Sequence, residues 1–271
     1  MMDHQVIVDG IRLRVTDRGQ GAPALIFLHY WGGSSRTWEP VIAALPAGYR
    51  CIAPDLRGWG ASGAPADDAY ALADFADDIA ALVVSFGLHD YVLVGHSMGG
   101  KIAQSLATRR PPGLIGLVLV APAPPGPLTM LPEAMAAMRT AYTSPETVCT
   151  VLDHVLTAKP LPGRLREQVV VDSLRGAPAA KAAWPDSTSQ EDIRTALSAI
   201  NVPVLVIGGE SDRVDAVTTL ETELLPRLAH ARLRVLARTG HLSPLEASVE
   251  VATCIADFVA ELKALTAAPN I

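Results

Sequence analysis

Residues 92–100 read Val-Leu-Val-Gly-His-Ser-Met-Gly-Gly, a short apolar run that leads into a Gly-x-Ser-x-Gly pentapeptide centred on Ser97. A serine nucleophile needs this order: a strand, a tight turn whose strained backbone projects the hydroxyl, then a helix. Gly95 and Gly99 leave room for strand and helix to pack closely. The helix N-terminus behind Ser97 favours developing negative charge. The competing explanation is a Gly-rich turn that merely contains a serine. The strand pattern before and the helical pattern after favour the nucleophile.

A serine hydroxyl attacks poorly until a base takes its proton. Seven histidines are available: His4 in a hairpin, His29 at a strand end, His89 and His230 before strands, His96 beside Ser97, His154 in a helical stretch and His241. His241 sits in Arg238-Thr239-Gly240-His241-Leu242-Ser243-Pro244, after the last strand and before the last helix. That position lies at the same sheet edge as Ser97, which favours the base over a plain surface histidine. A third group must hold the imidazole in one tautomer. Asp212 is assigned this role, in the loop Gly208-Gly209-Glu210-Ser211-Asp212-Arg213 that opens at the same edge. Glu210 and Asp215 are close rivals, and a loop with no catalytic role would leave all three acids solvated. Ala121-Pro122-Ala123, after the fourth buried strand, offers no carboxylate. Acyl transfer also needs donors for an oxyanion, and losing one typically costs ~10²–10³ in rate. The expected donors are the backbone N–H groups of Met98 and of Trp31, the latter in the loop His29-Tyr30-Trp31-Gly32-Gly33. His29 itself is expected to bond nearby loop backbone rather than substrate.

The elements that must position these residues follow from hydrophobic patterning. Residues 5–16 alternate around Asp9-Gly10, a hairpin signal because the turn needs positive φ. Short apolar runs at 24–29, 49–54, 91–94, 114–120, 204–207 and 233–236 predict strands buried on both faces. Residues 71–86 have helical spacing, with Leu72, Phe75, Ile79, Leu82 and Val83 on one face and Asp74, Asp77 and Asp78 near the start. Helices are also expected at 101–109 and 245–265. Strands alternating with helices at both ends of the chain imply a parallel sheet. The stretch 122–195 differs: it opens Ala-Pro-Ala-Pro-Pro-Gly-Pro and contains no strand pattern. Helical spacing at 133–143, 146–158, 162–174 and 191–199 predicts a helical insertion over the sheet. The last six residues are expected to fray.

Bulk properties narrow the function classes. The chain has 271 residues, 49% apolar and 18% charged, with net charge −6 and pI near 5.6. This composition is globular. It carries no clustered Lys and Arg, so nucleic acid is not an expected partner. No apolar segment reaches the ~18 residues of a membrane span. The N-terminus lacks the basic-then-apolar pattern of a signal peptide. Three scattered cysteines, Cys51, Cys149 and Cys254, have no metal-binding spacing and fit a reducing compartment. A cytoplasmic protein with a small-molecule substrate is expected, and a homodimer stays open.

Together these residues resemble the α/β-hydrolase superfamily, more narrowly its small bacterial esterases, lactonases and cofactor-free haloperoxidase-like or perhydrolase-like members. The resemblance spans most of the chain. It rests on the His29–Gly33 loop, on Pro54-Asp55-Leu56-Arg57-Gly58-Trp59-Gly60-Ala61-Ser62, on the Ser97 turn, on the Asp212 loop and on Gly240-His241. It implies an α/β fold with a mostly parallel eight-stranded sheet, helices on both faces and a helical cap. Residues 1–121 and 196–271 would form the core and 122–195 the cap, the part that varies most and sets substrate choice. The order Ser–Asp–His is the one this fold uses, which favours Asp212. The implied reaction is cleavage of a small carboxylic ester or lactone through a Ser97 acyl-enzyme, with neither metal nor organic cofactor. Carbon–carbon hydrolysis and perhydrolysis use the same triad. A hydroxynitrile-type lyase and a non-catalytic ligand-binding homologue are alternatives of other classes. The serine argues against dehalogenases and epoxide hydrolases, which use Asp. One departure stands out: Tyr30 occupies a position where the family usually has Gly. Either the local φ suits a side chain, or the loop is displaced, or a phenol faces the substrate. Trp31 and Met98 are tied to the pocket by motif. Tyr30, Met130, Leu131, Met135, Met138 and Trp184 are further candidates to line it, although methionines at i, i+3 more often simply pack a helix.

Overall fold

The computed structural model describes residues 2–267, which form an eight-stranded sheet with helices against both faces. The strands are β1 (Met2–Val8), β2 (Ile11–Arg18), β3 (Ala24–Leu28), β4 (Arg50–Pro54), β5 (Tyr91–His96), β6 (Leu114–Val120), β7 (Val204–Gly209) and β8 (Ala231–Leu236). Across the sheet they run β1-β2-β4-β3-β5-β6-β7-β8. The pairs β1–β2 and β2–β4 are antiparallel, and the remaining pairs are parallel. Asp9 and Gly10 both turn the first hairpin at positive φ, 47° and 77°, the mirror-image geometry that matches strand twist. All eight predicted strands are present, with ends shifted by up to three residues, but β8 lies at the sheet edge and is not buried on both faces as expected: none of its six residues is fully buried.

The helices are α1 (Glu39–Ala44), α2 (Leu72–Ser85), α3 (Met98–Thr108), α4 (Pro132–Thr140), α5 (Pro145–Val151), α6 (Gly163–Arg175), α7 (Pro178–Asp186), α8 (Val217–Thr219), α9 (Ser243–Glu246) and α10 (Ser248–Ala267). Strand pleating sends alternate side chains to two cores. Leu25 and Phe27 of β3 join Val251, Ile255, Phe258, Val259 and Leu262 of α10 on one face. Ile26 and Leu28 join the apolar stripes of α2 and α3 on the other. β3, β5 and β7 are buried throughout, as strands covered on both faces must be.

Between β6 and β7 lie α4–α7, with no strand among the described residues. Two expectations need correction here. Residues 191–199 are not helical apart from a single tight turn at Leu197–Ala199. The Asp192 carboxylate accepts from the backbone N–H of Arg194 at 3.0 Å, and Glu191 accepts from the N–H of Leu72 at 2.7 Å. Such side-chain bonds compete with helix formation. Conversely, α7 has no counterpart among the predicted helices. Pro178 starts the helix, where its missing N–H costs nothing, and Pro185 lies in the last turn. The last helix is also broken at Ala247 into α9 and α10. The fraying expected for the C-terminus falls, from residue 268 on, outside the described residues; residues 266 and 267 continue α10. No helix among the described residues is long and apolar enough to cross a membrane.

Candidate active site

Because β3, β5, β6, β7 and β8 are parallel, the loops after them open at one edge of the sheet. Ser97 joins β5 to α3 with φ 53° and ψ −115°, a conformation costly for a residue with a side chain. Small neighbours make the turn possible. A Cβ on Gly95 would stand 2.4 Å from the Gly99 carbonyl oxygen, and one on Gly99 would stand 2.4 Å from that of Leu28. The Ser97 carbonyl accepts from the N–H groups of Gly100, Lys101 and Ala123, which fixes the turn. The Met98 N–H stands at the first position of α3 and donates to no backbone carbonyl among the described residues.

His241 is buried, and its Nδ1 lies 2.9 Å from Asp212 Oδ2. The other carboxylate oxygen of Asp212 accepts from the N–H groups of Val214 and Asp215, at 2.8 and 3.1 Å. Asp212 is therefore oriented on both sides, and it leaves Nδ1 as the protonated nitrogen and Nε2 free to act as base. Burial alone would depress the His241 pKa. The charge and hydrogen bond of Asp212, helped by Asp215, outweigh it and raise the value above the ordinary 6.5. Asp215 is the second buried acid, with Oδ2 at 3.9 Å from His241 Nδ1, beyond hydrogen-bond reach. The third rival, Glu210, instead accepts from the Arg238 N–H at 2.8 Å. His96, next to Ser97, donates from Nε2 to the His241 carbonyl at 2.8 Å; burial, then the nearby His241, holds its pKa well down, so it is neutral.

The β3–α1 loop is held as carefully. His29 Nδ1 donates to the Tyr30 carbonyl at 2.8 Å, and its Nε2 accepts from the Leu56 N–H at 3.0 Å. Burial lowers the His29 pKa, which preserves the neutral form this double role requires. The Tyr30 carbonyl also accepts from the Gly33 N–H. A peptide unit is planar, so pinning the Tyr30 oxygen also aims the Trp31 N–H on the opposite side. That N–H donates to no backbone carbonyl among the described residues. Tyr30 is not among the residues with positive φ, so no glycine is required there. Its ring is buried, 5.2 Å from the His96 ring, and lines the cavity described next. The segment after β4 is scaffold: Asp55 accepts from the N–H groups of Ser35 and Ala61, and buried Arg57 forms a two-pronged pair with Asp78 at 2.7 and 2.8 Å.

Ser97 and His241 face a cavity of about 220 Å³. Tyr30, Trp31, Met130, Met138 and Trp184 all line it, as do Ala134, Ala137, Ala141, Tyr142, Val151, Val155, Leu156, Arg213 and Val214. Met98, Leu131 and Met135 do not. Met98 is buried behind the turn, Leu131 is exposed, and Met135 lies on the same helix as Met138 but off the cavity. Tyr142, Val151, Val155 and Leu156 were not foreseen, because nothing in their local pattern says which way the insertion packs. Arg213, adjacent to Asp212, could have been found from its position alone.

The inserted helices are fastened to both catalytic loops. Tyr142 donates to the Trp31 carbonyl at 2.9 Å, the Trp31 indole to the Lys181 carbonyl at 3.2 Å, and Ser173 to the Gly32 carbonyl at 3.0 Å. Buried Asp172 accepts from Ser34 at 2.8 Å and pairs with Arg36. On the other side, Glu246 accepts from the N–H groups of Ala158 and Gly240, and Arg213 donates to the His154 carbonyl. Among the described residues no cluster of three or more His, Cys, Asp or Glu is placed to hold a metal ion. Cys51, Cys149 and Cys254 are free, the first buried and the others half-buried.

The chain is similar to known proteins over most of its length. The 2-hydroxymuconate semialdehyde hydrolase of Pseudomonas sp. (strain CF600) is 29% identical over 272 residues, covering 96% of this chain and 94% of its own. The 2-succinyl-6-hydroxy-2,4-cyclohexadiene-1-carboxylate synthase of Enterobacter sp. (strain 638) is 33% identical, over 88% and 92%. Among solved structures, an esterase from Exiguobacterium antarcticum superposes with a TM-score of 0.86 at 26% identity, over 97% of this chain and all of its own. The profile of the alpha/beta hydrolase family matches residues 25–253, which takes in the Ser97 turn, the Asp212 loop and His241, and the chain belongs to that family.

Proposed function

We propose that the protein hydrolyses small carboxylic esters or lactones through an acyl-enzyme on Ser97. The observation that carries this reading is the buried His241–Asp212 hydrogen bond of 2.9 Å on a cavity wall shared with Ser97. His241 Nε2 takes the Ser97 proton as Oγ attacks the acyl carbon, and Asp212 steadies the imidazolium that results. The Trp31 and Met98 N–H groups, both without a backbone partner among the described residues, receive the oxyanion. His241 then returns the proton to the leaving alcohol, and water releases the acyl group by the same steps in reverse roles. Neither step needs a metal or an organic cofactor.

The cavity is smaller than the ~300–1,000 Å³ typical of ligand sites, and its walls are mostly apolar, which supports a short acyl chain. Tyr30, Trp31, Met130, Met138 and Trp184 are assigned to substrate contact on the same grounds. The full-length likeness to an esterase adds weight. The equally full-length likeness to a semialdehyde hydrolase supports a second reading, carbon–carbon hydrolysis on the same triad. Pre-steady-state turnover of p-nitrophenyl acetate and butyrate tests the first reading. A nitrophenolate burst stoichiometric with enzyme, absent in Ser97→Ala, is expected. Steady turnover without a burst, unaffected by Ser97→Ala, would refute it.

A further inference from the structure

The acid loop holds a carboxyl that the reaction above does not use. Asp215 is 3% exposed, and its Oδ2 approaches the same ring nitrogen of His241 that Asp212 engages, at 3.9 Å against 2.9 Å. Its own backbone N–H donates to Asp212 Oδ1. Two carboxyls are thus fixed by one turn against the Nδ1 edge of one imidazole. The charged or titratable groups facing Asp215 are His241 from the β8–α9 loop, Asp212 from its own loop and Lys101 from α3. Lys101 is buried and donates to the carbonyls of Gly126 and Ser189. A buried carboxyl at a position with no hydrogen-bonding duty in the scaffold is expensive, and an apolar side chain of similar size would pack as well. Burial, together with the charge of Asp212, pushes its pKa to about 8, against the opposing pull of His241 and Lys101. A neutral acid beside an ionised one is the usual outcome when two carboxyls share a site.

We propose that Asp215 is a second positioning acid for His241, held in reserve behind Asp212 and able, as a carboxylate, to accept the Nδ1–H hydrogen bond. No bond is made or broken beyond the proton transfers already described. Asp212 accepts the hydrogen bond while Asp215 keeps its own proton. When Asp212 is replaced by a neutral residue, burial still favours that proton but the like charge that reinforced it is gone. Asp215 then ionises more readily, and a side-chain movement of about 1 Å brings it within hydrogen-bond range. The proposal rests on the serine-hydrolase reading.

The test compares wild type, Asp212→Asn, Asp215→Asn and the double variant in kcat/KM for p-nitrophenyl butyrate from pH 5 to pH 10. Loss of the orienting acid elsewhere costs ~10⁴ in rate. Asp212→Asn is expected to lose only about 10²-fold, with activity that climbs with pH as Asp215 ionises, while the double variant loses the full ~10⁴. Asp212→Asn as inactive as the double variant at every pH would overturn the proposal. Should the double variant not fold, the pH profile of Asp212→Asn decides. Its kcat/KM is expected to go on climbing above the His241 inflection as Asp215 ionises, and a profile that is flat there would overturn the proposal. Wild type without any esterase turnover is a separate result, since it removes the hydrolase reading itself before any variant is compared.

Discussion

Ser97, the proposed nucleophile, carries a backbone cost. Its φ of 53° with ψ of −115° belongs to a region where a Cβ crowds the backbone, a strain of about 1–3 kcal/mol. Glycine removes that crowding but loses about 0.5–1 kcal/mol to its greater unfolded-state freedom. Ser97→Gly is therefore expected to be inactive yet more stable than wild type by about 1 kcal/mol in urea titration. Ser97→Ala keeps the Cβ and should show no such gain. At this scale the sequence was informative where a residue is bound by local geometry: Ser97 and its glycines, His241 after the last strand, and His29 bonded to loop backbone. It favoured Asp212 over Glu210 and Asp215 only through the Ser–Asp–His order of the family it resembles, since three acids within six residues otherwise differ only in how the loop folds. The folded loop turns Asp212 toward His241, leaves Asp215 a step behind and sends Glu210 to the Arg238 N–H. The sequence could not decide what Tyr30 does. The answer, a phenol in the cavity wall on an ordinary backbone, depends on the partners of the loop.

At the scale of elements, the inserted helices brace the loops that aim the reacting groups. Asp172 of α6 reaches across to Ser34 and Arg36, and Ser173 beside it bonds the Gly32 carbonyl in the loop that aims Trp31. Arg36 is about one-third exposed, so solvent weakens the ion pair, whereas Asp172 is buried. Asp172→Ala strands the Ser34 hydroxyl and is expected to destabilise by about 1–3 kcal/mol, with a several-fold fall in kcat as the Trp31 N–H loses its aim. Urea unfolding and ester kinetics on the same preparation measure both effects. The central strands were legible because each is a short apolar run covered on both faces, a pattern few other structures produce, whereas the edge strands β1 and β8 leave nearly all their residues half-exposed or exposed. The insertion was legible only as helical. Its helices pack by a few residues each, α4 buries no residue fully, and α7 carries prolines at its start and in its last turn. Which side faces Ser97 is decided by long-range bonds such as Tyr142 to Trp31, which leave no periodic trace.

For the whole molecule, the site costs stability in a way that pH reveals. Asp215 is lifted from 3.8 to about 8 by burial first and Asp212 second. Between those values the folded chain keeps this proton while the unfolded chain gives it up. The contribution of Asp215 is therefore fully favourable below about pH 4 and is lost as pH rises toward 8. Asp215→Val, close to it in volume, is expected to be the more stable protein at pH 8 by up to a few kcal/mol, with the gap closing toward pH 4. Urea midpoints at the two pH values test the sign directly. Intact-protein mass after reaction with a fluorophosphonate, followed by peptide mapping, tests Ser97 as the nucleophile. A single adduct is expected, on Ser97, formed by wild type and absent from Ser97→Ala. A folded wild type that stays unlabelled, or carries its adduct on another residue, would contradict it.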